Sequence, residues 1–190
     1  MKNIFICFIL LFAISCGNNT KIELLNRIFL NINLEKGTNS ILKNSNLQFT
    51  ETYDTNVPEG IKPHSTFFAQ ASKNYYFKSK IKNIQISIIP SSSFLKNNYQ
   101  ISQIIIFENF ANLNFEYENL KKDLIPLSED YGIYDLTNII KQNIKEEHVD
   151  IKLKEKFGSG FINIYENKVE GYLRISYNTD KEKNIISLKK

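Results

Sequence analysis

Two histidines, a serine between glycines and pairs of glutamates are the residues of this 190-residue chain whose types could support catalysis or metal binding. His64 and His148 are far apart, and neither has a second histidine at the helical spacing of a zinc site. In "FGSGF" both neighbours of Ser159 are glycines, which differs from the Gly-x-Ser-x-Gly spacing of a hydrolase nucleophile turn. We therefore predict no catalytic residue and no metal site, and interpret "FGSGF" as a hairpin turn.

The pairs Glu116 with Glu118 and Glu146 with Glu147 could exchange protons with a substrate. In "LNFEYEN" aromatic and acidic residues alternate, so the sequence predicts a short strand with both glutamates on its solvent face. No third residue is placed to orient these glutamates. An envelope hydrolase would, in addition, need a cleft in which carboxylates converge. The seven glycines include no G-x-x-x-x-G-K loop, so nucleotide binding is not supported.

The stretch "NYYFKSK" is the strongest candidate for a binding surface. Its rings, Tyr75, Tyr76 and Phe77, stand beside three lysines and could stack on a sugar or on an apolar patch of a partner. Tyr131 and Tyr134 could extend the same surface. The alternative is that "NYYFKSK" forms a strand whose alternate rings fill the core.

The amino-terminal residues have the layout of a secretory signal. A positive end at Lys2 precedes an apolar run over residues 4–14, and small or weakly polar residues follow. The run is shorter than the roughly 20 residues that a membrane-spanning helix needs. We predict a signal peptide over residues 1–15, cleaved between Ser15 and Cys16.

The stretch "FAISC" that ends at Cys16 resembles the lipobox of bacterial lipoproteins, with Ala13 in place of the usual leucine, as in spirochaete-type members. The resemblance implies that the Cys16 thiol takes a diacylglyceryl group and that Cys16, once it is the new amino terminus, carries acyl chains such as palmitate. Two or three acyl chains are enough for stable anchoring. Cys7, the other cysteine, would leave with the signal, so the mature chain offers Cys16 no disulfide partner.

The composition of the remaining chain favours one mostly β domain. Isoleucine, phenylalanine and tyrosine are plentiful, tryptophan is absent, and glycine and proline are few. The 22 lysines and 2 arginines are scattered among 20 acidic residues, for a net charge of +4. Nucleic-acid binding is not expected, because it usually shows clustered basic residues in a markedly basic domain.

Alternating apolar and polar residues predict many short strands. "KNIQISIIP" places Ile84, Ile86 and Ile88 on one face and ends at Pro90, which has no amide donor. Further strands are predicted in "YQISQIIIF", "HVDIKLKEK", "GFINIYENK" and "GYLRISYN". Residues 22–34 fit either a helix or a strand. So many short strands favour a sandwich or barrel of antiparallel sheets.

The second half of the chain, residues 80–178, resembles the jelly-roll carbohydrate-binding modules of the DNRLRE type. That family has an aromatic-Asp-Val-Thr turn and a closing Pro-Tyr-Leu-x-Ile-x-Tyr strand, and the matching residues are Tyr134, Asp135, Thr137, Tyr172, Leu173, Ile175 and Tyr177. Leu136 replaces the valine, Gly171 replaces the proline, and "FEYENL" lacks the tryptophan of the corresponding family strand. The resemblance implies a jelly-roll-like sandwich and a carbohydrate-binding role.

The sequence thus predicts a bacterial lipoprotein with a cleaved signal over residues 1–15, a lipidated tether over residues 16–21 and one jelly-roll-like β-sandwich over residues 22–190, with one or two short helices. We expect a non-catalytic binding module for a carbohydrate or for an envelope or host protein, with no cofactor besides its lipid. The alternative is a structural or assembly lipoprotein of an envelope complex, which would show a broad apolar patch. Gly17 and Asn18 favour the outer membrane or cell surface over the inner membrane.

Overall fold

The computed structural model describes residues 21–54, 64–90, 99–135, 147–157 and 160–179. Within these ranges the chain forms eight strands: β1 (Thr50–Asp54), β2 (His64–Ala71), β3 (Ile81–Pro90), β4 (Tyr99–Phe107), β5 (Ser128–Asp135), β6 (Glu147–Leu153), β7 (Phe161–Asn167) and β8 (Tyr172–Asn178). The strands pair in one antiparallel sheet, in the spatial order β1-β2-β3-β4-β8-β7-β6-β5.

Two meanders make up this sheet. Strands β1 to β4 follow one another in space, strands β5 to β8 do the same, and the two meanders join where β4 pairs with β8. The prediction of a mostly β chain with few short helices is confirmed, and eight strands in one open sheet are consistent with a single β-sandwich-like domain.

Alternate residues of the central strands point to a buried core. In β4 the odd-numbered residues from Tyr99 to Phe107 are buried and the even-numbered ones are half-buried. Ile84, Ile86 and Ile88 of β3 are buried as the sequence predicts. Each such side chain contributes about 1.5 to 3 kcal/mol when it leaves water, so this face of the sheet supplies much of the driving force for folding.

A first helix, α1, includes residues 21–28 and covers part of the core face. Leu25 and Ile28 are buried, and the Ile28 carbonyl accepts a hydrogen bond from Nε2 of Gln103, a buried polar residue of β4, at 2.7 Å. The helix is followed by Leu30 and Asn31, whose positive φ angles of 58° and 59° turn the chain. Residues 22–34, which the sequence leaves open, are thus helical in their first part and form turns after it.

Two further helices are α2 (Thr38–Asn44) and α3 (Asn112–Leu124). Helix α3 contains "LNFEYEN", so the prediction of a strand there is wrong. Leu113, Tyr117, Leu120 and Leu124 are buried at the three- and four-residue spacing of one helical face. The alternation within "FEYE" is too short to compete with this longer pattern, and short 3-10 turns at Ile125–Leu127 and Glu155–Phe157 complete the helical structure of the described residues.

Several sequence predictions fall outside the described residues: the signal peptide, the Ser15–Cys16 cleavage site, Thr137 and Ser159. Of the helices that the structure describes, none combines the length and the apolar character needed to cross a membrane.

Candidate functional site

The sheet face opposite the core carries a line of small polar residues, which we call the polar row. Cross-strand pairing across β5, β6, β7, β8, β4 and β3 places next to one another Gly132, Asp150, Asn163, Ser176, Ser102 and Ser87. Because neighbouring strands are about 4.8 Å apart, the polar row spans about 24 Å across the sheet.

Asp150 is the most buried side chain of the polar row, at 5% exposed. Its Oδ1 accepts a hydrogen bond from Asn163 Nδ2 and lies 2.6 Å from His148 Nε2. When His148 donates from Nε2, its Nδ1 can accept a hydrogen bond from a ligand hydroxyl. Further along the polar row, Ser176 Oγ donates to Ser102 Oγ at 2.9 Å. The polar row therefore presents donors and acceptors held by their own hydrogen bonds.

A line of rings, the aromatic row, runs beside the polar row. Tyr134, His148 and Tyr165 are cross-strand partners on β5, β6 and β7, and Arg174 continues the line on β8. Ring centroids lie 6.2 Å apart for Tyr134 and His148, 6.5 Å for His148 and Tyr165, and 6.2 Å for Tyr165 and Tyr172. The rings are half-buried and tilted by 45° to 87° to one another, and Arg174 is exposed, so the aromatic row offers partly exposed rings next to a charged donor.

On the other side of the polar row, Lys152 and Phe161 are cross-strand partners and line an open cavity of about 500 Å³. Lys152 Nζ lies 3.2 Å from Oε2 of Glu129, which also lines the cavity. Because larger side chains flank it on both sides, the polar row forms the floor of a shallow trough.

The sequence candidates lie in separate places. Tyr134 belongs to the aromatic row, whereas Tyr131 points to the other face of the same strand and is 50% exposed. Tyr75, Tyr76 and Phe77 lie in the loop between β2 and β3, five strands away from β5 in the sheet order. The structure therefore does not bring the five rings together.

The three rings of "NYYFKSK" also differ in exposure. Tyr75 is 62% exposed, whereas Phe77 is buried and makes an edge contact with Phe107. Tyr76 is half-buried, and its hydroxyl donates to Asp123 Oδ2 at 3.0 Å. Burial, followed by the nearby Asp123 carboxylate, raises the pKa of the Tyr76 hydroxyl. Phe77 therefore fills the core, as the alternative interpretation of "NYYFKSK" predicts, and of the three rings only Tyr75 is mainly exposed to solvent.

Sequence reasoning missed Asp150, Asn163 and Tyr165 as site residues. Alternation in "HVDIKLKEK" and "GFINIYENK" places each of them on the solvent face of its strand, but it does not indicate which strands are neighbours. His148, which has no second histidine at the spacing of a zinc site, contacts Asp150 instead.

A second polar cluster, the glutamate cluster, consists of Glu118 and Lys121 of α3, Glu147 of β6, Glu166 of β7 and Lys168 just after β7. Lys121 Nζ contacts Glu118 Oε1 at 2.9 Å and Glu147 Oε2 at 3.0 Å. Glu166 is 1% exposed, and its Oε2 lies 3.2 Å from Lys168 Nζ. Burial raises the pKa of Glu166, and the hydrogen bond and charge of Lys168 offset only part of this effect. Ionised Glu166 is therefore unfavourable in the folded protein.

We expect Glu166→Gln to stabilise the protein at neutral pH by on the order of 1 kcal/mol, because glutamine keeps the shape of the side chain and removes a buried negative charge. The raised pKa means that the folded state binds the proton more tightly than the unfolded state, so wild-type stability falls as pH rises from the ordinary glutamate range through the folded pKa. The gain should therefore vanish near pH 4.

Urea unfolding of both proteins between pH 4 and 8 measures this difference. Glu170→Gln removes the same charge from an exposed position on the same hairpin and should leave the pH profile unchanged. A stability difference between Glu166→Gln and wild type that is constant with pH would contradict the prediction.

Among the residues that the structure describes, no group of three or more His, Cys, Asp or Glu side chains is arranged to hold a metal ion. Comparisons with protein-family models, with curated proteins and with solved structures gave no match.

Proposed function

We propose that the chain is a membrane-anchored bacterial lipoprotein that binds an extended carbohydrate on the trough formed by the polar and aromatic rows, without catalysing a reaction. A sugar has polar hydroxyls around its edge and apolar faces. Hydrogen-bonding groups along the polar row would suit the hydroxyls, and the half-exposed rings beside them would suit the faces. The single observation that carries the proposal is this pairing of the two rows over the four neighbouring strands β5 to β8, beyond which the polar row continues onto β4 and β3.

The length of the trough favours a linear polymer over a compact small molecule. The polar side chains from Asp150 to Ser87 span about 19 Å, which exceeds what one sugar ring needs and suits an oligosaccharide of several units. Arg174 and Lys152 are exposed at opposite sides of the floor, so sugars that carry carboxylates or sulfates would gain charge-assisted hydrogen bonds.

The anchoring part of the proposal depends on Cys16. The lipobox resemblance of "FAISC" and the absence of any cysteine after Cys16 both support acylation there rather than a disulfide. Intact mass spectrometry of the protein from its native envelope tests this directly. A chain that retains Met1 and carries no lipid mass would contradict it.

A structural or assembly lipoprotein is the second candidate, and one observation favours it. Phe110 and Phe115, at the amino-terminal end of α3, are 56% and 52% exposed, and Val169 of the β7–β8 turn is 49% exposed. Phe110 lies next to Gly171 of the same turn, and exposed apolar side chains that cluster are typical of a surface that a partner protein covers.

We expect Tyr165→Ala and Arg174→Ala each to weaken glycan binding about tenfold, which corresponds to about 1.4 kcal/mol for one stacked ring or one charged donor. Isothermal titration of the full chain in detergent micelles measures the affinity. The probes are the β-1,4-linked N-acetylglucosamine hexamer, cellohexaose and a heparin hexasaccharide.

Tyr53→Ala is the matched control, because Tyr53 is 65% exposed on edge strand β1 and lies on the other face of the sheet. Its affinity should equal that of wild type. The proposed trough would be contradicted if Tyr53→Ala weakened glycan binding and Tyr165→Ala did not. It would also be contradicted if none of the three hexamers bound.

A further inference from the structure

The loop between β2 and β3, residues 72–80, is held to two helices by hydrogen bonds. From α1, Arg27 Nη2 donates to the Tyr75 carbonyl at 2.7 Å, and Asn74 Nδ2 of the loop donates to the Ile28 carbonyl at 2.8 Å. From α3, Glu116 Oε1 accepts from the backbone amides of Lys78 and Ser79 at 3.1 and 2.7 Å. The loop is therefore fixed to the first helix after the predicted tether.

The same loop surrounds an open basic cavity of about 350 Å³, lined by Lys73, Lys78 and Lys80 together with Tyr75 and a single carboxylate, Glu108. Among the described residues, no carboxylate forms an ion pair with any of the three lysines. Three exposed lysines and an exposed tyrosine that line one concavity suit a phosphate group attached to an apolar body.

The position of the loop limits where this cavity lies relative to the lipid. From Cys16 to Lys21 the chain can reach at most about 17 Å when fully extended. From Lys21 to Arg27 the helix adds about 9 Å. The Arg27 backbone is therefore within about 26 Å of the residue predicted to be acylated, and the loop follows at the end of the Arg27 side chain, within reach of the membrane surface.

We infer that residues 72–80 form a second membrane contact, in which Lys73, Lys78 and Lys80 bind the phosphate of an anionic lipid headgroup and the Tyr75 ring enters the interfacial region. Tyrosine is enriched at this depth of a bilayer, and basic residues near an acylated segment strengthen its attachment to anionic lipids. The inference rests on the lipid anchoring in the proposed function. It predicts that the contact orients the domain on the membrane, with its 72–80 end towards the lipid.

The chain contains no tryptophan, so Tyr75→Trp introduces a unique fluorescent probe at this position. In the full acylated protein on vesicles with phosphatidylglycerol, we expect a blue-shifted emission that brominated lipids quench. On vesicles of phosphatidylcholine alone we expect much weaker quenching. Replacing Lys73, Lys78 and Lys80 by glutamine should reduce the quenching on the anionic vesicles about tenfold.

Tyr131→Trp is the matched control, because Tyr131 is similarly exposed and lies at the far edge of the sheet. Its emission should be the same on both vesicles. Equal quenching at positions 75 and 131, or quenching that the glutamine variant leaves unchanged, would overturn the inference. If excess inorganic phosphate abolishes the quenching at low vesicle concentration, the cavity is a site for free anions, and this result would also overturn the inference.

Mass spectrometry of the same preparation separates this inference from the proposed function. Acylated protein without Tyr75→Trp quenching on anionic vesicles rejects the loop contact and leaves the lipid anchor standing. A chain with no acyl groups rejects the anchor whatever the fluorescence shows.

Discussion

Cys16→Ser is expected to abolish acylation and, with it, cleavage after Ser15. Serine has no thiol to form the thioether with diacylglycerol, and the chain that follows Cys16 has no other cysteine to replace it. A single acyl chain gives only marginal attachment, whereas two or three make it stable. In a chain that also lacks the apolar run of the signal, loss of all of them should lower the membrane-bound fraction of the folded domain by more than about a hundredfold.

Two measurements are needed, because an uncleaved apolar run over residues 4–14 could itself hold the variant on a membrane. Labelling with an alkyne analogue of palmitate, followed by intact mass determination, reports acylation and cleavage in Cys16→Ser. Sedimentation of membranes reports attachment, using a second variant in which a secretory signal without a lipobox replaces residues 1–16.

Cys7→Ser is the matched control, because Cys7 lies inside the predicted signal and is the only other cysteine of the chain. It should be acylated, cleaved and attached as wild type is. Palmitate label that persists in Cys16→Ser, or equal sedimentation of the second variant and wild type, would reject the lipid anchor.

The strand pattern could be predicted because burial of one sheet face requires period-two alternation. Every odd-numbered residue of β4 is buried, and Ile84, Ile86 and Ile88 of β3 lie opposite that strand on the same face. Alternation failed in "LNFEYEN", where two aromatic and two acidic residues alternate by chance inside a helix. Tyr117 is buried there by its helical spacing from Leu113 and Leu120.

The candidate site could be predicted only in part, because it depends on which strands are neighbours. Tyr134 was a sequence candidate, but its cross-strand partner His148 lies beyond a long connection. Asp150 and Ser102 share the polar row although β4 and β6 are far apart in the chain. No local pattern contains such pairings, since they arise when the second meander docks its last strand against β4.

Glu116 and Glu118 show the same limit at one helix. The sequence places them on one solvated strand face, whereas the helix separates them. Glu116 is 2% exposed and bonded to the 72–80 loop, and the side chain of Glu118 is 53% exposed and paired with Lys121. The second largest predicted effect follows from this difference.

Glu116→Ala is expected to lower the free energy of unfolding by about 2 to 3 kcal/mol, because it leaves the amides of Lys78 and Ser79 without their acceptor and opens a small cavity beside α3. Glu116→Gln keeps a side-chain oxygen at the same place and should cost less than half as much. Urea unfolding measures both variants, and amide hydrogen exchange at Lys78 and Ser79 should accelerate only in Glu116→Ala.

Glu118→Ala is the matched control for charge and helix position, since an exposed ion pair contributes at most about 1 kcal/mol. The two hydrogen bonds do not hold the loop if Glu116→Ala and Glu116→Gln destabilise the protein equally and amide exchange at Lys78 and Ser79 is unchanged. If they do hold it, Glu116→Ala should also weaken the quenching of Tyr75→Trp on anionic vesicles while acylation of Cys16 stays complete, because the lysines would no longer be fixed around one headgroup.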